Sequence, residues 1–156
     1  MPSATISTGN TTVFEVGTEY TPSYSIAFNS GEYSYGPNPT GVVASYTVSD
    51  TNGNSSTKSS DSFNSFFIND DTNYQIEANI SYSDGAIPKT NLGNNCEEEK
   101  ILANELNVKS SAIKGYRKSF YGALDNKNDY DIRSLKSSTS ALKNGSSFTI
   151  NLTSNT

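Results

Sequence analysis

The chain has 156 residues, with 11 basic and 16 acidic side chains and a formal charge of −5, and 61 of its residues are Ser, Thr or Asn. It contains no His and a single cysteine, Cys96, which excludes His-based catalytic pairs, an internal disulfide and paired-cysteine zinc or redox motifs. The acidic balance argues against nucleic acid, and no apolar run reaches the roughly 18 residues of a membrane span. The expected class is an ordered, polar β protein that is not an enzyme and needs no cofactor.

The first ninety residues are predicted to form short strands separated by turns. The predicted strands cover residues 11–16, 24–29, 42–49, 63–68 and 74–82. Apolar and polar side chains alternate in several of them, as expected when one face of a sheet is buried and the other is wet. Asn52-Gly53 is a strong signal for a β-hairpin. Together these features predict an immunoglobulin-like antiparallel β-sandwich over residues 1–94.

Residues 95–156 are predicted to form a smaller, mostly β region. Residues 97–107 fit either a helix that begins with three Glu or an extended segment, and both interpretations stay open. Strand is favoured over residues 108–124, one or two helical turns over 131–142, and a strand over 147–152. About sixty residues with so few apolar side chains bury too little surface to be stable alone. We therefore expect this region to dock on the first module, to be completed by another subunit, or to belong to a longer protein.

Asp50, Asn52 and Asn54 place oxygen-bearing side chains at alternate positions, like the first ligands of a calcium loop. The sixth position is Ser55 where a calcium loop has Gly, and the twelfth is Asp61 where it has Glu. A polar hairpin turn is therefore preferred to a metal site.

The ten tyrosines supply large side chains that can pack a core or contact a ligand. Most of them alternate within predicted strands, which indicates core positions. Tyr33 and Tyr35 lie between Gly31 and a Pro-rich loop, so they are the candidates for exposed residues that bind a ligand such as a sugar ring.

Four short motifs occur along the chain. They are E-V-G-T at 15–18, D-G-A-I-P-K-T-N-L-G at 84–93, G-Y-R-K-S-F-Y-G at 115–122, and I-R-S-L at 132–135 followed by F-T-I at 148–150. This ordered set, which spans residues 13–152, resembles motifs in structural proteins of tailed bacteriophages, particularly those of gut bacteria. The resemblance implies an immunoglobulin-like module in a tail fibre, baseplate or head fibre. It also implies a place in the virion, the extracellular particle, among copies of the chain or other virion proteins.

The third motif has a physical interpretation of its own. Gly115 and Gly122 bracket a six-residue strand and would permit close backbone approach or bends at its ends. Arg117 beside Tyr121 permits a cation–π or carboxylate contact. These features favour a strand that docks one segment on another over a ligand site. The expected docking residues are Tyr116, Arg117, Phe120 and Tyr121.

The sequence therefore predicts a non-enzymatic virion module that acts as a scaffold or in adhesion within an oligomer. The main alternative is a carbohydrate-binding module that contacts host-surface glycan, and a second is a subunit of a bacterial surface appendage. An exposed tyrosine pair beside an acidic or Asn side chain would favour sugar binding. A large, flat, apolar subunit interface would favour the scaffold.

Overall fold

The computed structural model describes residues 1–34 and 38–117, and the regular structure in these ranges is almost entirely β. One turn of 3-10 helix, Glu97–Glu99, is the exception among them, and no helix there has the length and apolar character to cross a membrane. The strands are β1 (Ser3–Ser7), β2 (Val13–Glu15), β3 (Glu19–Tyr20), β4 (Ser23–Asn29), β5 (Ala44–Asp50), β6 (Ser55–Ser56), β7 (Ser60–Ser62), β8 (Phe66–Phe67), β9 (Asn73–Tyr74), β10 (Ile76–Tyr82), β11 (Asn104–Lys109) and β12 (Ile113–Tyr116).

Two antiparallel sheets form a sandwich. One has the strand order β1-β4-β7 and the other the order β11-β10-β5-β6. With the strands lettered as in immunoglobulins, these orders become A-B-E and G-F-C-C′, which is the arrangement of an immunoglobulin-type sandwich. Two small sheets, β2-β12-β9 and β3-β8, complete the described part of the fold. The predicted all-β sandwich is confirmed.

The core lies between the inner faces of the two sheets. Ile76, Ala78 and Ile80 of β10 are buried, and Val48 of β5 and Ile26 of β4 pack in the same apolar cluster. Because successive side chains of a strand point to opposite faces, the apolar set is buried in the core and the intervening polar set faces water. The alternation predicted for these three strands is confirmed.

The predicted Asn-Gly hairpin joins β5 to β6. Gly53 adopts a φ of 86°, a left-handed conformation that glycine tolerates without steric cost. Its N–H donates to the backbone oxygen of Asp50 at 3.2 Å, and the strands pair antiparallel from Ser49 and Ser55 outwards. The turn therefore forms where the sequence predicts it.

The segment left open by the sequence divides into a 3-10 turn at Glu97–Glu99 and the strand β11, which pairs with β10. At the end of β11 the buried Ser110 exchanges hydrogen bonds with Ile76. Its N–H donates to the Ile76 oxygen at 2.8 Å, and its Oγ accepts the Ile76 N–H at 2.9 Å. The chain then enters β12 in the small sheet.

The chain divides after Tyr116 into the units Met1–Tyr116 and Arg117–Thr156. The first unit ends 22 residues later than the boundary predicted at residue 94 (116 − 94 = 22), because β11 and β12 complete sheets that earlier strands begin. Tyr35, Phe120, Tyr121 and the elements predicted over 131–142 and 147–152 lie outside the described residues.

Candidate functional site

The start of the G-Y-R motif lies in β12, between two other strands. β12 runs parallel to β2, with Gly115 opposite Phe14 and Tyr116 opposite Glu15, and antiparallel to β9. Hydrogen bonds of 2.9 Å bracket the parallel pair, from Lys114 N–H to the Thr12 oxygen and from Val16 N–H to the Tyr116 oxygen. The first two residues of the motif, Gly115 and Tyr116, are therefore paired with β2, while β9 pairs with the two residues that precede them.

Gly115 allows the backbone of residues 68–69 to approach β12. A Cβ atom at this position would lie 2.1 Å from the backbone oxygen of Asn69 and 2.9 Å from Cγ2 of Ile68. The close approach predicted for this glycine is confirmed. The prediction that Gly115 stands at the start of the strand is wrong, because β12 begins two residues earlier, at Ile113.

Of the four predicted docking residues, the structure describes Tyr116 and Arg117. The Tyr116 side chain is 38% exposed, on the outward face of the small sheet together with Val13 and Lys114. Arg117 is also exposed and belongs to the second unit. Both residues lie at the surface, and their role in docking stays a prediction.

Tyr33 is half-buried, and its hydroxyl donates to the backbone oxygen of Ala86 at 3.0 Å. It borders a shallow groove of about 380 Å³ beside Glu99 and Lys100. The prediction treats Tyr33 as an exposed ligand contact, but this hydroxyl ties residue 33 to the 84–93 motif instead. Its predicted companion, Tyr35, is not among the described residues.

The carboxylate of Asp50 is used within the hairpin turn. Its Oδ1 accepts the Asn54 N–H and its Oδ2 accepts the Asn54 side-chain N–H, both at 2.7 Å. Oδ2 also accepts the Tyr74 hydroxyl at 3.0 Å. In the described ranges no group of three or more acidic or Cys side chains could hold a metal ion. The geometry of Asp50, Asn52 and Asn54 is that of a polar turn.

A second groove, not anticipated from the sequence, surrounds an exposed aromatic ring. Phe67 is 67% exposed and borders a groove of about 430 Å³, with the exposed polar side chains of Asn52, Asp71 and Asn73 at its rim. The sequence carried one relevant signal. Phe66 and Phe67 are adjacent in a strand, and neighbouring side chains point to opposite faces, so one ring had to face outwards. The remaining lining residues are Thr51, Phe66, Asn69, Thr72 and Tyr74.

One buried aromatic ring, Tyr74, and two half-buried rings, Phe66 and Tyr20, support this groove from below. Phe66 and Tyr74 lie 5.0 Å apart between ring centroids, and Tyr20 packs edge-on to both at 5.8 and 6.1 Å. Burial raises the pKa of the Tyr74 hydroxyl well above its usual value of 10, and its hydrogen bond to Asp50 raises it further. Burial also raises the pKa of Tyr20. Both hydroxyls therefore keep their protons to a higher pH than an unburied tyrosine does.

The raised pKa values of these two tyrosines predict that the folded chain loses stability in alkaline solution. A raised folded-state pKa means that the folded chain holds its proton more tightly, so the stabilisation is complete below pH 10 and declines as pH rises further. Between pH 10 and its folded-state pKa, Tyr74 should steepen the decline by up to about 1.4 kcal/mol per pH unit. Denaturant unfolding at several pH values should show a shallower decline for Tyr74→Phe than for the unsubstituted chain. Identical slopes would contradict the prediction.

Comparisons of this chain with protein-family models, with curated proteins and with solved structures find no match.

Proposed function

We propose that this chain is a non-enzymatic structural and adhesion module of a bacteriophage virion. The observation that supports it best is that two of the motifs resembling virion proteins pair with each other. Glu15 lies opposite Tyr116 in the parallel pair, and the Val16 N–H donates to the Tyr116 oxygen at 2.9 Å. Residues 15–18 and 115–122 are 97 positions apart at their nearest ends (115 − 18 = 97), so this contact closes the fold.

The 84–93 motif has a similar structural role. Asp84 accepts the Ala103 N–H at 2.8 Å and the Lys100 ammonium at 2.7 Å, which joins the loop after β10 to the chain entering β11. The hydrogen bond from Lys100 has the largest effect on the Asp84 carboxyl, and that from Ala103 the next largest. Together they hold the pKa of this carboxyl below its usual value. The described motif residues thus connect separate segments of the sandwich, as expected of a structural module.

Assembly of the full chain tests the oligomeric part of this proposal. Light scattering across a concentration series should give a mass above the 16.8 kDa of one chain, with the proportion of oligomer rising with concentration. A stable, folded monomer at every concentration would contradict it.

The groove at Phe67 favours a second candidate function, the binding of a neutral carbohydrate. An exposed ring can stack on the apolar face of a sugar, while amide and carboxylate groups bind its hydroxyls. Asn52, Asp71 and Asn73 supply such groups around Phe67. The volume of about 430 Å³ falls within the range usual for small-ligand sites. The chain's charge of −5 disfavours an acidic glycan.

Calorimetry against a panel of neutral glycans tests this second function. Phe67→Ala should abolish the binding heat. Val43→Ala should leave it unchanged, because Val43 is 69% exposed and is not among the residues lining the groove. No heat from any glycan, or equal binding by Phe67→Ala, would overturn the carbohydrate assignment.

A further inference from the structure

The pairing of β2 with β12 differs from every other strand pairing in the described ranges, because it is parallel. Its register joins Val13 to Lys114, Phe14 to Gly115 and Glu15 to Tyr116. β2 lies near the beginning of the chain, and β12 is the last strand of the unit Met1–Tyr116. We propose that this pair is a mechanical clamp, which gives the chain the further function of carrying tension between its two ends.

The direction of the strands determines how tension would act. A pull on the chain's beginning reaches β2 at its N-terminal end, and a pull beyond Arg117 reaches β12 at its C-terminal end. Because the strands are parallel, these forces are opposed along one axis and load all the cross-strand hydrogen bonds together. In an antiparallel hairpin pulled from its open end, the bonds would instead break one after another.

The surroundings of the clamp resist sliding. On its other side β12 pairs with β9, where Ile113 lies opposite Tyr74 and both side chains are buried. Gly115 is held against the backbone of Asn69, and the ring of Phe14 packs on Tyr20 at 4.9 Å. A force that slides β2 along β12 must therefore also disturb the core.

β1 precedes the clamp along the chain, pairs with β4 over five residues and packs Ala4 and Ile6 against the edge of the core. We expect β1 to detach before the clamp carries full load. Release of residues 1–12 would lengthen the chain by up to about 40 Å, at roughly 3.3–3.6 Å per residue. A small extension step should therefore precede the main rupture.

Single-molecule force spectroscopy on the full chain tests the proposal by changing only the point of attachment. In a Cys96→Ser background, one handle is fixed at the C-terminus and the other either at Met1 or at an engineered Thr21→Cys. Thr21 is exposed and follows β2 and β3, so this attachment leaves the N-terminal end of β2 unloaded. The main rupture force should be severalfold higher for attachment at Met1. Equal forces for the two attachments would overturn the proposal.

A pair of proline variants separates the clamp from general stability. Val16→Pro removes the N–H donated to the Tyr116 oxygen, and Ser83→Pro removes the N–H donated to the Val43 oxygen, outside the clamp. For attachment at Met1, Val16→Pro should lower the main rupture force and Ser83→Pro should leave it unchanged. An equal loss for both variants would contradict a clamp at β2 and β12. If either proline variant does not fold, the proposal is still tested by comparing the rupture forces for attachment at Met1 and at Thr21→Cys, in which both strands of the clamp are unchanged.

Discussion

Gly115→Ala is expected to destabilise the unit Met1–Tyr116 by about 3 kcal/mol or more, within or above the usual cost of overpacking. The added methyl group would lie 2.1 Å from the backbone oxygen of Asn69, a contact that no side-chain rotation can relieve. β12 would have to move away from residues 68–69 and would strain its pairing with both neighbours. Denaturant unfolding followed by circular dichroism measures the loss.

The sign of this effect is informative, because alanine at a compatible position stabilises a protein by about 0.4–1 kcal/mol through the unfolded state. Gly85→Ala is the matched control. A Cβ at Gly85 would meet Cγ2 of Val42 at 3.1 Å and Cβ of Ile101 at 3.2 Å, so these neighbours need to shift by only a few tenths of an ångström. Gly85→Ala should therefore cost much less. A Gly115→Ala chain as stable as the unsubstituted one would contradict the packing of β12 described above.

Ile80→Ala is expected to cost about 2–5 kcal/mol, the usual range for removing a large aliphatic side chain from a core. Ile80 is fully buried in β10, between Tyr46 of β5 and Leu106 of β11. Because the chain has few large aliphatic residues, few neighbouring side chains can move in to fill the cavity left by Ile80. Chemical denaturation should show a lower midpoint with the same dependence on denaturant.

Thr47→Ala provides the control for the core substitution. Thr47 lies on β5, the strand paired with β10, but its side chain points to water. Its replacement should change stability by less than about 0.5 kcal/mol. Similar losses for Ile80→Ala and Thr47→Ala would show that the sandwich is not packed around the central strands.

The sequence predicted the fold where a local pattern carries the information. The alternation in β4, β5 and β10 comes from the burial of one strand face, and the φ of 86° at Gly53 is what an Asn-Gly turn requires. For residues 97–107 the sequence does not decide the structure, because three Glu fit the first turn of a helix as well as an extended segment that leads into a strand. Only the pairing of β11 with β10 decides between them.

The partners of the strands were less predictable. No local pattern in residues 13–15 shows that they pair with residues 114–116, because this contact depends on the whole sandwich closing. For the same reason the first unit extends to Tyr116 rather than to residue 94. The sequence predicts one continuous strand over 63–68 that includes Phe67, whereas β8 covers only two residues and leaves the Phe67 ring exposed.

The most direct test of the virion assignment is mass spectrometry of gradient-purified phage particles from a culture that produces this chain. The tryptic peptide covering residues 90–100 should be found in the particle fraction, in a fixed ratio to the major capsid protein across several preparations. Recovery of that peptide only from fractions without particles would contradict a structural role in the virion.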